Sequence, residues 1–180
     1  MDPVARLIAL AGLPGTGKST TAAALAARLG AVLLGVDPLE AAIVSAGVQQ
    51  NRQPTGHAAY AAVEAAAEPQ LRNGLDVVID AVNDSAEARG QWKRLAARTG
   101  AELTWFEVVC SDPTVHRMRL QQRKRAEDQL IGAPTWVSLN RRRLKLALWK
   151  DPRHVLDSRH ATAAELAARA ESLVEAATTP

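Results

Sequence analysis

Near the start of the 180-residue sequence stands Gly12-Leu13-Pro14-Gly15-Thr16-Gly17-Lys18-Ser19: a glycine, four residues, then Gly-Lys-Ser. That spacing belongs to a loop that wraps phosphate. Glycines admit backbone angles closed to other residues, so successive amide N–H groups can turn inward around an anion, and the helix that follows adds its positive end. Lys18 is placed to reach the β and γ phosphates of a nucleoside triphosphate. Ser19 offers the hydroxyl that Mg²⁺ takes as an oxygen ligand, and Thr20 can hydrogen-bond a phosphate further back. The pattern therefore predicts binding of a nucleoside triphosphate with Mg²⁺.

Further residues fit chemistry on such a nucleotide. Asp37 and Asp80 each close a short apolar run, Ala31–Val36 and Leu75–Ile79, where a carboxylate can serve a metal or a proton. Arg117, Arg119, Arg123, Lys124, Arg125, Arg141, Arg142, Arg143 and Lys145 crowd one third of a chain whose formal net charge is only +3. Such a cluster is suited to phosphate. Nucleic acid is the competing partner, disfavoured because stacking aromatics are largely missing between the basic residues. Arg52 and His57 either face a substrate or are a solvated arginine and a packed histidine; their spacing does not choose.

Elements that could position these groups follow in order. Val4–Leu10 reads as a buried strand entering the glycine loop, and Thr20–Leu29 as a helix with Gly30 at its C′ position. Ala31–Val36 is a second strand, with Asp37 the N-cap and Pro38 the first residue of a helix to about Gln50. Thr55 opens a helix that Pro69 is expected to break. Leu75–Asp80 is a third strand, Asp84 with Glu87 resembles a capping box, and Trp92, Leu95 and Ala96 share the apolar face of a helix ending at Gly100. Glu102–Cys110 is a fourth strand, Asp112 caps an arginine-bearing helix begun by Pro113, and about 124–134 loses apolar periodicity as a mobile lid does. A helix from Thr135 to Trp149, a strand His154–Asp157 and a helix opened by Thr162 and Glu165 complete the pattern. Strands alternating with helices imply a parallel α/β sheet with ligands at the strands' carboxyl ends.

Composition sets bounds. The length fits a single domain, 1–180, and aromatics supply only 3% of residues, so helices must pack through small side chains. A lone cysteine, Cys110, excludes an internal disulfide and suggests buried packing. No apolar run approaches a membrane span, and a cytoplasmic location without membrane contact is expected.

The order of GLPGTGKST, GVDPLE, VVIDAVN with Arg89 and Trp92 beyond, CSDPTVHRMRLQQRKR and APTW before a basic helix resembles the P-loop phosphotransferases. That group includes chloramphenicol phosphotransferase, zeta-toxin-type kinases, gluconate kinase and the kinase domain of polynucleotide kinase. Chains of this kind often carry the label AAA family ATPase. Asp80 is nevertheless followed by alanine and not by the glutamate of an AAA+ motor. The resemblance implies a three-layer P-loop NTPase sandwich with a five-stranded parallel sheet in the order 2-3-1-4-5 and a helical lid. It implies that Asp37 is the base facing the acceptor hydroxyl and that Asp80 holds Mg²⁺ water or substrate. Arg119 matches the arginine that lies against adenine, Arg123 the lid arginine that reaches the transferred phosphate, and Arg125 is a weaker second choice. Pro69 departs from relatives whose helix is continuous.

The function expected is transfer of the ATP γ-phosphate to a hydroxyl of a small molecule such as an antibiotic, sugar or nucleoside. A polynucleotide 5′-hydroxyl as acceptor is the first alternative. A nucleotide-dependent switch with slow ATP hydrolysis is the second.

Overall fold

A computed structural model describes residues 4–48, 55–126 and 136–178. Its centre is a five-stranded sheet in the order β2-β3-β1-β4-β5, with every neighbouring pair parallel. The strands are β1 Arg6–Ala11, β2 Val32–Gly35, β3 Val77–Asp80, β4 Glu102–Val109 and β5 His154–Asp157. Parallel neighbours need a crossover at every step, and the helices supply it. These are α1 Lys18–Leu29, α2 Val36–Ser45, α3 Thr55–Arg72, α4 Ala86–Thr99, α5 Pro113–Ala126, α6 Trp136–Ala147 and α7 Ala163–Thr178. The expected fold and strand order are both observed.

Side chains alternate across the sheet, so β1 feeds two cores at once. Leu7, Ala9 and Ala11 join α3, α4 and α6 residues on one face, including Val63, Trp92, Leu95 and Leu146. Ile8 and Leu10 join α1 and α7 on the other, through Leu25, Ala26, Leu166 and Ala170. Alanines in α1 and α7 let those helices lie close, as the low aromatic content requires. Among the described residues no helix is long and apolar enough to cross a membrane.

Several local expectations hold. Gly30 and Gly100 end α1 and α4 in the left-handed conformation. Asp112 Oδ1 accepts from the N–H groups of Thr114 and Val115 at 2.8 and 3.2 Å, and this N-cap holds its carboxyl below the usual range. Thr162 and Glu165 cap α7 reciprocally, the Glu165 carboxylate accepting from the Thr162 N–H at 2.7 Å.

Others are corrected. Asp37 is not the N-cap of α2: Gly35 holds that place and Asp37 lies inside the first turn, because the chain turns helical directly from β2. The cap of α4 is Ser85, whose Oγ accepts from the Ala88 N–H at 3.1 Å, so Asp84 is left outside the helix. Pro69 does not break α3, which runs on to Arg72. Proline there forfeits one hydrogen bond near the end of an already docked helix, a loss that packing of Val63, Ala67 and Leu71 outweighs. Cys110 is half-buried and not enclosed, and His57 is exposed and not packed. Arg52 and the part of the lid from 127 to 134 lie outside the described residues.

Candidate active site

The register of the sheet brings the carboxyl ends of its strands to one edge. Leu10 lies opposite Asp80 on one side and Phe106 on the other, Gly35 lies opposite Asp80, and Val109 opposite Asp157. The glycine loop leaves that edge from the middle strand. Gly12 has φ 147°, and a Cβ there would stand 2.3 Å from the Val108 carbonyl oxygen. Gly15 has φ 82°, and a Cβ would meet Leu120 at 2.8 Å. Both glycines are thus required by backbone angle and by space together.

The loop is braced from outside. His116 of α5, 2% exposed, hydrogen-bonds the Pro14 carbonyl through Nε2 at 2.7 Å. Ser158 Oγ donates to the Thr16 carbonyl at 2.7 Å, and Thr16 Oγ1 donates to the Leu13 carbonyl at 2.8 Å. The Gly12 N–H donates to the Val82 carbonyl at 3.2 Å. His116 and Ser158 were not legible as loop supports in the sequence, since they lie 102 and 142 residues from their partners.

Lys18 opens α1 and is only 5% exposed; its Nζ pairs with Asp80 Oδ1. The sequence pattern places this lysine to reach phosphate, and here it neutralises a carboxylate that is itself 9% exposed. A buried carboxylate without a neighbouring cation is costly, and Lys18 supplies that neighbour. Ser19 and Thr20 are exposed at the start of α1. The Thr20 hydroxyl donates to the Gly17 carbonyl at 2.8 Å. Among the described residues no group of three or more His, Cys, Asp or Glu could hold a metal. A metal at this loop would have the Ser19 hydroxyl and the Asp80 carboxylate as candidate protein oxygens. That sparse donor set fits Mg²⁺, which retains water and takes its other ligands from phosphate.

On the β5 side of the loop, Arg119 donates from Nη1 to Ser158 Oγ at 2.7 Å and from Nη2 to the Ser158 carbonyl at 3.0 Å. Its guanidinium lines a cavity of about 250 Å³ with Gly17, Thr20, Thr21, Ser158, Thr162 and Leu166. Arg123 follows one turn later in α5; its side chain and that of Arg125 lie outside the described residues.

On the β2 side, the chain leaving β3 turns sharply at Asn83, fully buried with φ 51°. Asparagine tolerates this left-handed angle better than most residues, and here its polar groups are all engaged. Nδ2 donates to the Leu10 carbonyl at 2.7 Å, Oδ1 accepts from Trp92 Nε1 at 2.8 Å, and the backbone N–H donates to Tyr60 Oη at 3.1 Å. The Asn83 carbonyl accepts from Arg89 Nη1 at 2.9 Å. Asn83 thereby joins the strand that feeds the loop to α3 and α4. No motif singles it out in the sequence.

Tyr60 and Asp37 stand at this flank, both half-buried. Burial pushes the Tyr60 phenol well above its usual range, the Asn83 hydrogen bond opposes this, and the charges of Asp84 and Asp37 add to the rise. Asp84 faces α6, with Arg142 Nε at 4.0 Å and Lys145 Nζ at 3.9 Å. Behind it, Arg89 lies 4.7 Å and Arg153 4.5 Å from the Trp149 ring centroid. Arg89 Nε has no hydrogen-bond partner among the described residues, and burial pushes its guanidinium below the usual range. This cluster fixes the end of α6 against β4, where Arg153 also donates to Glu107 at 2.6 Å.

A family model described as an AAA domain matches residues 7–143. Comparison with curated proteins gives no match. Among solved structures, a kinase candidate from Chloroflexus aurantiacus superposes with a TM-score of 0.76 at 19% identity, over 97% of this chain and 98% of that one. A sugar kinase from Janibacter gives 0.67 at 16% identity, covering 98% and 99%. The APS kinase CysC of Mycobacterium tuberculosis, in complex with AMPPNP and APS, gives 0.65 at 17% identity, covering 96% and 99%.

Proposed function

The chain belongs to the AAA domain family, and from that premise and the geometry of its glycine loop we propose that it is a Mg²⁺-dependent kinase moving the ATP γ-phosphoryl group to a small-molecule hydroxyl. One observation carries the reading. The sheet order puts the Arg119–Ser158 cavity beside β5 and Asp37 beside β2, with Lys18 and the loop between them. A nucleotide whose base occupies the cavity directs its phosphates along the loop toward Asp37. Structural neighbours include a sugar kinase and a kinase bound to a nucleotide analogue and a small acceptor, which supports the same class of reaction.

In this reading each residue has a defined task. The loop amides and the start of α1 hold the phosphates, and Lys18, released from Asp80, neutralises the charge on the group in transfer. Mg²⁺, held through Ser19 and Asp80, supplies further positive charge to the phosphate oxygens. Asp37 takes the proton from the acceptor hydroxyl as its oxygen forms the new bond to phosphorus, the bond from phosphorus to the bridging oxygen breaks, and ADP departs. Arg119 lies against the base, and Arg123, one helical turn on, reaches the transferred group from the lid.

Incubation with ATP, Mg²⁺ and a panel of hydroxylated small molecules, read by mass spectrometry, tests the proposal. A gain of one phosphate on an acceptor, lost when Mg²⁺ is chelated, is the expected result. Steady ATP hydrolysis with no acceptor phosphorylated would instead favour a nucleotide switch.

A further inference from the structure

The flank that carries Asp37 also carries two polar groups with hydrogen-bonding capacity left over. Tyr60 Oη accepts from the Asn83 N–H at 3.1 Å, and its own proton has no acceptor among the described residues. Asp84, the next residue in the chain, has the opposite lack. Among the described residues its carboxylate is held only by two long ion pairs, to Arg142 at 4.0 Å and Lys145 at 3.9 Å, too far for hydrogen bonds, so it keeps room to accept one. The two groups are fixed relative to each other through Asn83, which is fully buried and held by four hydrogen bonds. Both sit where β3 ends, at the same sheet edge as Asp37.

We propose that Tyr60 and Asp84 read a second hydroxyl of the phosphate acceptor, donated to by the phenol and donating to the carboxylate, so that the acceptor is a neutral diol or polyol. This rests on the kinase reading given above. A hydroxyl is the smallest group that accepts one hydrogen bond and donates another. An ammonium would suit Asp84 but meet the phenol proton and the two cations of α6. A carboxylate would suit the phenol but meet Asp84. The reacting hydroxyl belongs to Asp37, and the second one is what orients it. Burial and the neighbouring carboxylates push the phenol above its usual range, which favours its acting as a donor.

The test measures phosphate transfer from ATP to cis-1,2-cyclohexanediol, cyclohexanol, and a panel of monosaccharides and ribonucleosides with their singly deoxygenated forms. The parent protein should use polyhydroxylated acceptors and lose on the order of a hundredfold in kcat/KM when the second hydroxyl is removed. Tyr60→Phe and Asp84→Ala should each lower kcat/KM for the full acceptor toward the deoxygenated value, leave the deoxygenated acceptor little changed, and leave the KM for ATP as in the parent. Tyr60→Phe also strips the Asn83 N–H of its partner and so can lose stability. Asp84→Ala gives up only two long ion pairs to half-exposed cations of α6, a small cost, and its result decides if the first variant does not fold. Parental discrimination in Asp84→Ala, or equal use of cyclohexanol and the diol by the parent, overturns the Tyr60–Asp84 pair while leaving the kinase reading intact. Tight ATP binding with no transfer to any member of the panel overturns the kinase reading, and this inference with it.

Discussion

On the β5 side of the glycine loop the polar groups are tied to the loop itself: His116 to Pro14, Ser158 to Thr16, Arg119 to Ser158. On the β2 side the ties run behind the site, through Asn83 to Leu10, Trp92 and Tyr60, and the Tyr60 phenol keeps its own proton to donate. The contrast teaches where rigidity is useful. A triphosphate presents the same charges each time, so its cradle gains from being fixed before binding. An acceptor is recognised by groups whose partners it must itself supply, since a polar group satisfied within the protein has nothing to offer a ligand.

Substitutions can break or sharpen this contrast, and the largest effect belongs at the point the two flanks share. Lys18→Ala should cut transfer on the order of a thousandfold. It should also lower the melting temperature without ligand, by about 2 kcal/mol or roughly 5 °C, because Asp80 loses the cation that neutralises it. Adding Asp80→Asn should restore most of the stability and none of the transfer. An unchanged melting curve for Lys18→Ala would show that the pair is not held in solution.

Asp37→Asn comes next and addresses the acceptor flank alone. Since Asp37 lies within the first turn of α2 and is not its cap, the neutral variant gives up no cap, and the charge it removes near a helix start is worth about a few tenths of a kcal/mol. Transfer should fall on the order of a hundredfold with ATP affinity unchanged, because asparagine cannot take the proton. Parental turnover in a stable variant would remove Asp37 from the chemistry and turn attention to Asp80.

Ser158→Ala tests the nucleotide flank. It takes one partner from Arg119 and leaves the Thr16 carbonyl unsatisfied, so ATP affinity should fall about tenfold, with acceptor KM at saturating ATP unaltered. Equal damage to acceptor KM would mean that the flanks are not separable. Arg123→Ala should instead lower kcat more than ATP affinity, as expected of charge that acts on the transferring group.

The smallest effect is expected far from both flanks. Pro69→Ala returns a backbone donor to the last turns of α3 and should raise the melting temperature by a few degrees while leaving kinetics untouched. A kinetic change would show that α3 transmits motion to Tyr60.

Much of the molecule is legible in one dimension because its signals are local. The glycine spacing, the apolar runs that become β1 to β5, the C′ glycines and the caps at Asp112 and Thr162 each act within a few residues, where backbone geometry and short-range hydrogen bonding decide the outcome. Even there, the helix start at Asp37 and the cap before α4 shifted by a residue or more, since neighbouring candidates differ by amounts smaller than the packing energies that choose between them. The sequence by itself therefore determined the fold class, the glycine loop and the acidic end of β3 at Asp80. Tertiary structure alone decided that Lys18 is buried against Asp80, that His116 and Ser158 brace the loop, and that Asn83 ties Leu10 to Tyr60. Those partners lie tens of residues apart, and only closing the sheet and docking α3, α5 and β5 around it brings such groups within the few ångströms over which hydrogen bonds act.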